Sequence, residues 1–298
     1  MSSYRQYVAR LRGLANARIR AAAGLNTTPP PRCGDPGEAY SDVYGVARVV
    51  HGDLPSMLVG GLGSLFFQML HPYAMAGVAQ HSRYQDDPLG RLLQTANFIG
   101  ATTYGSKSSA RDAIDRVLNV HHFVHGVADD GVPYDANDPH LLLWVHCAEI
   151  YMFLAAHRRF GAVKLSDEQA DQYVDEMAPL ARDLGVLDPP HNVIELNAAL
   201  LRFRPELRLS PDGKVARDFV AHRVVARRTQ RFVHRLLVTS AWSLLPRWAA
   251  DLLGVRTHRL YDRVVIRPST RLVSVLIRLA VPAPRQVAIV SPPSTTTI

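Results

Sequence analysis

The sequence predicts an all-α protein folded as a single helical domain, and three observations predict it. Apolar residues recur at helical spacing over most of the chain, as in Leu142, Val145, Met152 and Ala156. Helix-start signals are frequent: Asp86-Asp87-Pro88, Asp138-Pro139, His71-Pro72 and the Ser166–Gln169 capping-box pair. Segments that alternate with period two are scarce, which argues against a sheet-based fold.

In chain order, Ser2–Ala23 reads as an Arg-studded amphipathic helix, either packed on the domain or lying on a membrane surface. Gly24–Ala39 is Pro/Gly-rich and cannot hold a helix. Tyr40–Asp53 suits a strand or a helix. Leu54–Leu70 is apolar nearly all round and should be buried on every side, with Gly60, Gly61 and Gly63 allowing another backbone or a flat ligand to come close. A helix is expected from Pro72 to about Arg83, another from Arg91, and another from Ser108 to His125. Gly126–Pro139 is dense in turn residues. Leu141–Phe160 should be a strong helix whose core face holds Leu142, Val145, Glu149, Met152 and Ala156. Further helices are expected over Ser166–Leu184, Ile194–Phe203, Lys214–Arg235 and Arg259–Leu279, the last broken near Pro268. Leu236–Leu253 is a further apolar stretch, and Pro282–Ile298 reads as disordered.

The composition excludes several classes. The chain has 298 residues and a formal charge of +8, and Lys107, Lys164 and Lys214 are its only lysines, so arginine supplies nearly all the positive charge. Arginine's planar fork is the better partner for carboxylates. The arginines of the C-terminal third are interleaved with apolar residues and form no recognition motif, so nucleic acid is not an expected partner. Cys33 and Cys147 make neither a disulfide framework nor a zinc pattern. The start has no apolar signal segment, and Met57–Leu70 and Leu141–Ala156 fall short of the roughly 20 apolar residues of a membrane span. A cytoplasmic protein is expected, with contact at a membrane surface as an addition. No GxSxG, HExxH, P-loop or GxGxxG pattern is present.

Histidine carries the chemistry that remains. His121 and His125 stand where the stripe of their helix asks for leucine. Arg91 and Thr95 lie one turn apart on the preceding helix. A cation, a hydroxyl and a stripe histidine on neighbouring helices suit a planar metal cofactor with acidic side groups. Each also has a plain reading: Arg91 paired with Asp86 or Asp87, Thr95 bonded back to its own helix, and the histidines packed as structure. His71 and His146 are ambiguous in the same way. Glu149, on an apolar face, needs a partner or must be held neutral.

Three stretches carry a resemblance as a set: LFFQMLHPYAMAGVAQHSRYQDDPLGRLLQT, RVLNVHHFVHGVADDGVPYDANDPHLLLWVHCAEIYMFL and LLPRWAADLLGV. Their motifs resemble the oxygenase family that includes bacterial rubber oxygenase and the fungal oxygenase of the mycophenolic acid pathway, over about Tyr40 to Arg285. The resemblance implies a globin-like helical core that binds haem b, an iron cofactor, and an oxidoreductase acting with dioxygen on a lipophilic, isoprenoid or other alkene, substrate. It implies His121 as the iron ligand with His125 as second choice, Arg91 and Thr95 beside the haem, and His71 and His146 as further haem-side candidates. The family's lysine before the threonine is Gln94 here, and the family's glutamate base has no acid to match it in Tyr73–Val78. The alternative is therefore a non-catalytic haem- or lipid-binding helical protein. On this reading residues 1–39 are an N-terminal helix and linker, 40–285 the catalytic domain and 286–298 a disordered tail.

Overall fold

The computed structural model describes residues 32–224 and 228–280. The expected Ser2–Ala23 helix and the tail after Pro282 lie outside them. The regular structure of the described residues is helical, apart from one two-stranded hairpin and an isolated bridge between Ala39 and Ser106.

Four helices begin at an X-Pro step, three of them where the start signals predict and the fourth three residues before the expected Lys214. They are α3 (Pro72–His81), α4 (Pro88–Tyr104), α6 (Pro139–Phe160) and α9 (Pro211–His222). Proline at the first helical position loses nothing, because its missing N–H has no partner there anyway. Asp87 caps α4 by accepting from the Gly90 N–H at 2.9 Å, and Asp138 caps α6 by accepting from the His140 N–H at 2.8 Å. The Ser166–Gln169 capping box forms in full and starts α7 (Asp167–Asp183).

The ambiguous Tyr40–Asp53 segment resolves into α1 (Val46–Gly52). Its own sequence supplies no capping side chain. Glu176 of α7 does so instead, accepting the Val46 and Ala47 N–H groups at 3.0 and 2.7 Å. A carboxylate at a helix N-terminus satisfies orphan donors and opposes the helix dipole. It also docks two elements far apart in sequence.

The centre of the fold is the seam between α2 (Leu54–Gln68) and α6. A Cβ on Gly60 would lie 3.1 Å from the Cα of Phe153, and one on Gly63 would collide with the Met152 side chain. Gly60 therefore admits the backbone of α6, and Gly63 makes room for the Met152 side chain. Phe66, Phe67, Trp144 and Met152 are fully enclosed around the seam. Burial of α2 on all sides is only partly realised, since Leu65 is 43% exposed. By length and composition α6 could cross a membrane, with mean hydropathy 1.3 over its most apolar window. In this fold it is the central helix, with α2, α7 and α8 (Val193–Phe203) packed on it.

Three boundaries differ from expectation. The helix expected to run from Ser108 to His125 is α5 (Lys107–His121), with His122 as its C-cap. The turn-dense segment after it folds back as a hairpin of β1 (His125–Val127) and β2 (Pro133–Asp135), with His125 opposite Asp135. The turn residues were visible. The strands were not, because three residues are too few to show alternation. The single helix expected over Lys214–Arg235 is α9 followed by α10 (Arg228–Leu244). The apolar Leu236–Leu253 stretch holds the end of α10 and α11 (Arg247–Leu253). The last helical run is α12 (Arg259–Tyr261), a π-turn at Asp262–Ile266 and α13 (Arg267–Ala280), so the break expected at Pro268 falls just before it.

Arg278 of α13 closes the assembly. Its guanidinium donates to both carboxylate oxygens of Asp53, at 2.7 and 2.8 Å, and to the Phe160 carbonyl at the end of α6.

Candidate active site

Most of the residues singled out in the sequence lie on α4, α5 and α6, and the relative level of these helices follows from three anchors. Residues Gly105 and Ser106 separate α4 from α5, so the two helices run antiparallel and the end of α5 returns to the start of α4. His51 of α1 ties the far ends together. Its Nδ1 lies 2.8 Å from the Thr103 hydroxyl of α4, and its ring meets Phe153 of α6 edge-on at 5.4 Å. Asp135, just before α6, lies close enough to His121 to act on its charge. Thus α4 and α6 run in the same direction, and Arg91, His121 and the first turns of α6 share one end.

The inner face of α4 is marked by Arg91, Thr95, Phe98 and Thr102, which recur at helical spacing. Thr102 is buried, yet Arg91, Leu92, Gln94, Thr95, Ala96 and Asn97 are all exposed. These residues span every side of the helix, so its first half is uncovered on the inside as well as the outside. Burial nevertheless lowers the Arg91 pKa. A side chain that is surrounded by protein and still accessible is one that lines a cleft. Among the described residues Arg91 forms no ion pair, and the expected bridge to Asp86 or Asp87 is absent. The Thr95 hydroxyl donates to the Arg91 carbonyl at 3.2 Å, which is the plain reading for that residue.

His121 is the last residue of α5 and continues the stripe of Ile114 and Leu118 into the cleft. Burial lowers its pKa, the nearby Arg91 guanidinium lowers it further, and Asp135 opposes both. The imidazole is therefore neutral at pH 7 and keeps a lone pair. Its Nδ1 is buried without a hydrogen-bond partner. The structure thus brings Arg91, Thr95 and His121 to one place.

His125 is not brought there. It is exposed on β1, past the end of the helix that was expected to carry it. His71 stands in a separate aromatic cluster, 5.4 Å from the Tyr73 ring and 6.1 Å from the Trp144 ring, with the Glu206 carboxylate 3.8 Å from its Nε2. Burial pushes its pKa down to about 4. Trp144 and His146 are two residues apart on α6 and so point to opposite sides of that helix. His71 therefore lies across α6 from His146.

The α6 wall carries Val145, His146 and Glu149, which keep accessible surface. Leu142, Met152, Phe153 and Ala156 on the same side of the helix are closed. Burial pushes His146 down to about 4 and Glu149 up to about 7. Behind Glu149, the Tyr173 hydroxyl of α7 lies 3.1 Å from His51 Nε2. The Tyr173–His51–Thr103 chain escaped the sequence reading. The signal was there: His51 is a polar residue one turn from Ala47 on a buried stripe, the same irregularity that picked out His121.

Among the described residues no three His, Cys, Asp or Glu side chains gather into a metal-holding group. No curated protein and no solved structure matches the chain. The family model for the ER-bound oxygenase mpaB/B'/Rubber oxygenase catalytic domain matches residues 48–278, a span that holds every cleft residue named above, and the chain belongs to that oxygenase family.

Proposed function

We propose that this protein is a haem b-dependent oxygenase that acts on a lipophilic alkene with dioxygen, and that the cleft between α4 and α6 holds both cofactor and substrate. The observation that carries the reading is the pairing of a neutral, unbonded His121 with an Arg91 that has no carboxylate partner in a half-enclosed cleft. A porphyrin brings four of its own nitrogens, so it needs one protein ligand rather than a cluster. Its propionates need a cation such as Arg91. The protein residues present fit both demands.

In this reading His121 would hold the iron through a ring nitrogen, and Arg91 would pair with a propionate. The haem, when bound, supplies dioxygen chemistry. The chain contributes orientation and exclusion of water. Apolar walls from Ile99 and Val145 suit a hydrocarbon substrate, and His146 Nε2 is a polar atom set in the apolar wall. Thr95 would lend its hydroxyl to the cleft once released from the Arg91 carbonyl.

The test is an absorbance spectrum of the purified, haem-loaded protein. Wild type should show a Soret band, and His121→Ala should lose it while keeping its helical circular dichroism. Arg91→Ala should bind haem at least about tenfold more weakly, the scale expected for a lost charge-assisted contact. A wild type that stays colourless after loading overturns the reading and leaves the non-catalytic lipid-binding alternative.

One surface favours membrane contact as an addition to this function. Leu260, Val264, Leu272, Leu276 and Leu279 are exposed along α12 and α13 and recur at helical spacing. Arg259, Arg263 and Arg271 are exposed beside them and form no ion pair among the described residues. An apolar stripe edged with arginine suits an anionic lipid surface. The protein should sediment with phosphatidylserine vesicles at low salt, and Leu272→Glu with Leu276→Glu should abolish this. Equal sedimentation of that double variant removes the surface from consideration.

A further inference from the structure

α6 carries two polar groups that nothing in the described protein satisfies. His146 and Glu149 are three residues apart and share one side of the helix. The Nε2 of His146 is buried without a partner. Glu149 forms no hydrogen bond or ion pair among the described residues, and only burial acts on its carboxyl. The polar groups behind it are already engaged, Tyr173 with His51 and His51 with Thr103. The rest of that side of α6 is apolar, and apart from Val145 it is closed.

Elsewhere in the same bundle, two enclosed carboxylates are matched on both sides. Asp53 has Arg278 and Ser56, and Glu176 has two backbone N–H groups and Gln172. Other enclosed polar atoms also lack partners among the described residues, including both ring nitrogens of His71 and the Asp262 Oδ1, but those residues are sealed, whereas His146 and Glu149 share a helix side and keep accessible surface through which a ligand can reach them. A site with unsatisfied buried polar groups favours ligands that supply the complement and rejects isosteres that do not.

We infer that Glu149 and His146 form a subsite for a hydroxyl group, so that the substrate of this cleft is an amphiphilic alcohol rather than a plain hydrocarbon. The inference deepens the proposed function and rests on it for the presence of an organic substrate in the cleft. An alcohol matches the pair in both senses. Its O–H donates to the Glu149 carboxyl, and its oxygen accepts from His146 in the Nε2–H tautomer. A carboxylate ligand would meet the Glu149 charge. A cation would meet the imidazole N–H. A hydrocarbon would leave both groups unpaired.

Two probes of one carbon skeleton, farnesol and farnesene, test this by titration calorimetry on the purified protein, with the Soret band recorded on the same sample. Wild type should bind the alcohol at least about tenfold more tightly than the hydrocarbon. Glu149→Leu should lose that preference and bind farnesene as well as wild type does or better. Glu149→Gln, which conserves shape and keeps a hydrogen-bonding amide, should retain part of it. His146→Phe should also reduce it.

Wild type that binds the two probes equally, or binds neither, overturns the inference. So does a folded Glu149→Leu that keeps the full preference. Should that variant fail to fold, an unchanged preference in both Glu149→Gln and His146→Phe overturns it. A protein without a Soret band that still prefers the alcohol defeats the haem reading alone. A coloured protein without the preference defeats the hydroxyl subsite alone.

Discussion

The enclosed polar groups on the closing side of the bundle and those around the cleft are the same residue types, but they live in different circumstances. On the closing side, Asp53 accepts from Arg278 and from the Ser56 N–H, and Arg278 also reaches the Phe160 carbonyl. Asp262 accepts from Arg267 at 2.7 Å through Oδ2, although its Oδ1 and the Nδ1 of His157 are left without partners among the described residues. Around the cleft, Arg91 has no carboxylate, His121 and His146 each keep an unbonded ring nitrogen, and Glu149 stands alone. Burying a polar group is costly unless a partner is supplied. The first set therefore holds the fold together. The second set costs stability, and its retention points to ligands.

The titration directions separate the two sets in the same way. Burial alone would raise the Asp53 carboxyl, but hydrogen bonds from Arg278 and Ser56 outweigh it and hold the group below the usual range. Nothing offsets burial at Glu149, and its carboxyl rises to about 7.

The largest effect should come from breaking the satisfied set. Asp53→Ala removes the cap of α2 and leaves the Arg278 guanidinium with one carbonyl. The expected cost is roughly 2–4 kcal/mol, by analogy with removing one partner of an enclosed ion pair together with a helix cap. Urea unfolding followed by circular dichroism measures it. A cost below about 0.5 kcal/mol, the scale of an ordinary surface substitution, would show that the closing side is no better matched than the cleft.

A smaller and pH-dependent effect should come from Glu149→Gln. A carboxyl whose pKa is raised on folding contributes stability that is fully present below its unfolded value, near 4.5, and is lost as pH rises towards about 7. Glutamine does not titrate. The stability of the variant relative to wild type should therefore rise between pH 4.5 and 7 and stay level beyond, by roughly 1–3 kcal/mol in all. His51, His71 and His146 are held down at about 3, 4 and 4, so they contribute in the opposite sense, losing stability as pH falls below 6.5. They are common to both proteins and cancel in the difference. A difference that does not change with pH would mean that the Glu149 carboxyl is matched after all.

Much of the first set was legible in the sequence and much of the second was not. X-Pro starts, Asp caps and the Ser166–Gln169 box are written in three or four consecutive residues, and the structure has each where the pattern puts it. The Glu176 cap of α1 joins residues about 130 positions apart, so no local pattern shows it. Near the cleft, helical spacing picked out His121, His125 and Glu149 as irregular and put Arg91 and Thr95 on one face. It could not say that Arg91 and His121 face each other, because that depends on the tight turn at Gly105-Ser106. Nor could it say that α5 stops at His121. The apolar stripe continues on paper to His125, and the stop comes from the tertiary pairing of β1 with β2, which competes with one more helical turn.

That misread boundary supplies the smallest expected effect, and the most direct check on which imidazole matters. His125 is exposed, its residue is held in the hairpin by backbone pairing with Asp135, and no hydrogen bond of its ring is formed among the described residues. His125→Ala should change stability by less than about 0.5 kcal/mol, as surface substitutions away from special features do. It should leave the Soret band of the haem-loaded protein unchanged in position and intensity. His121→Ala should do the reverse, sparing the fold and removing the band. If the band instead survives in His121→Ala and disappears in His125→Ala, the hairpin must rearrange on loading to carry His125 inward, and the cleft between α4 and α6 loses its claim to the cofactor.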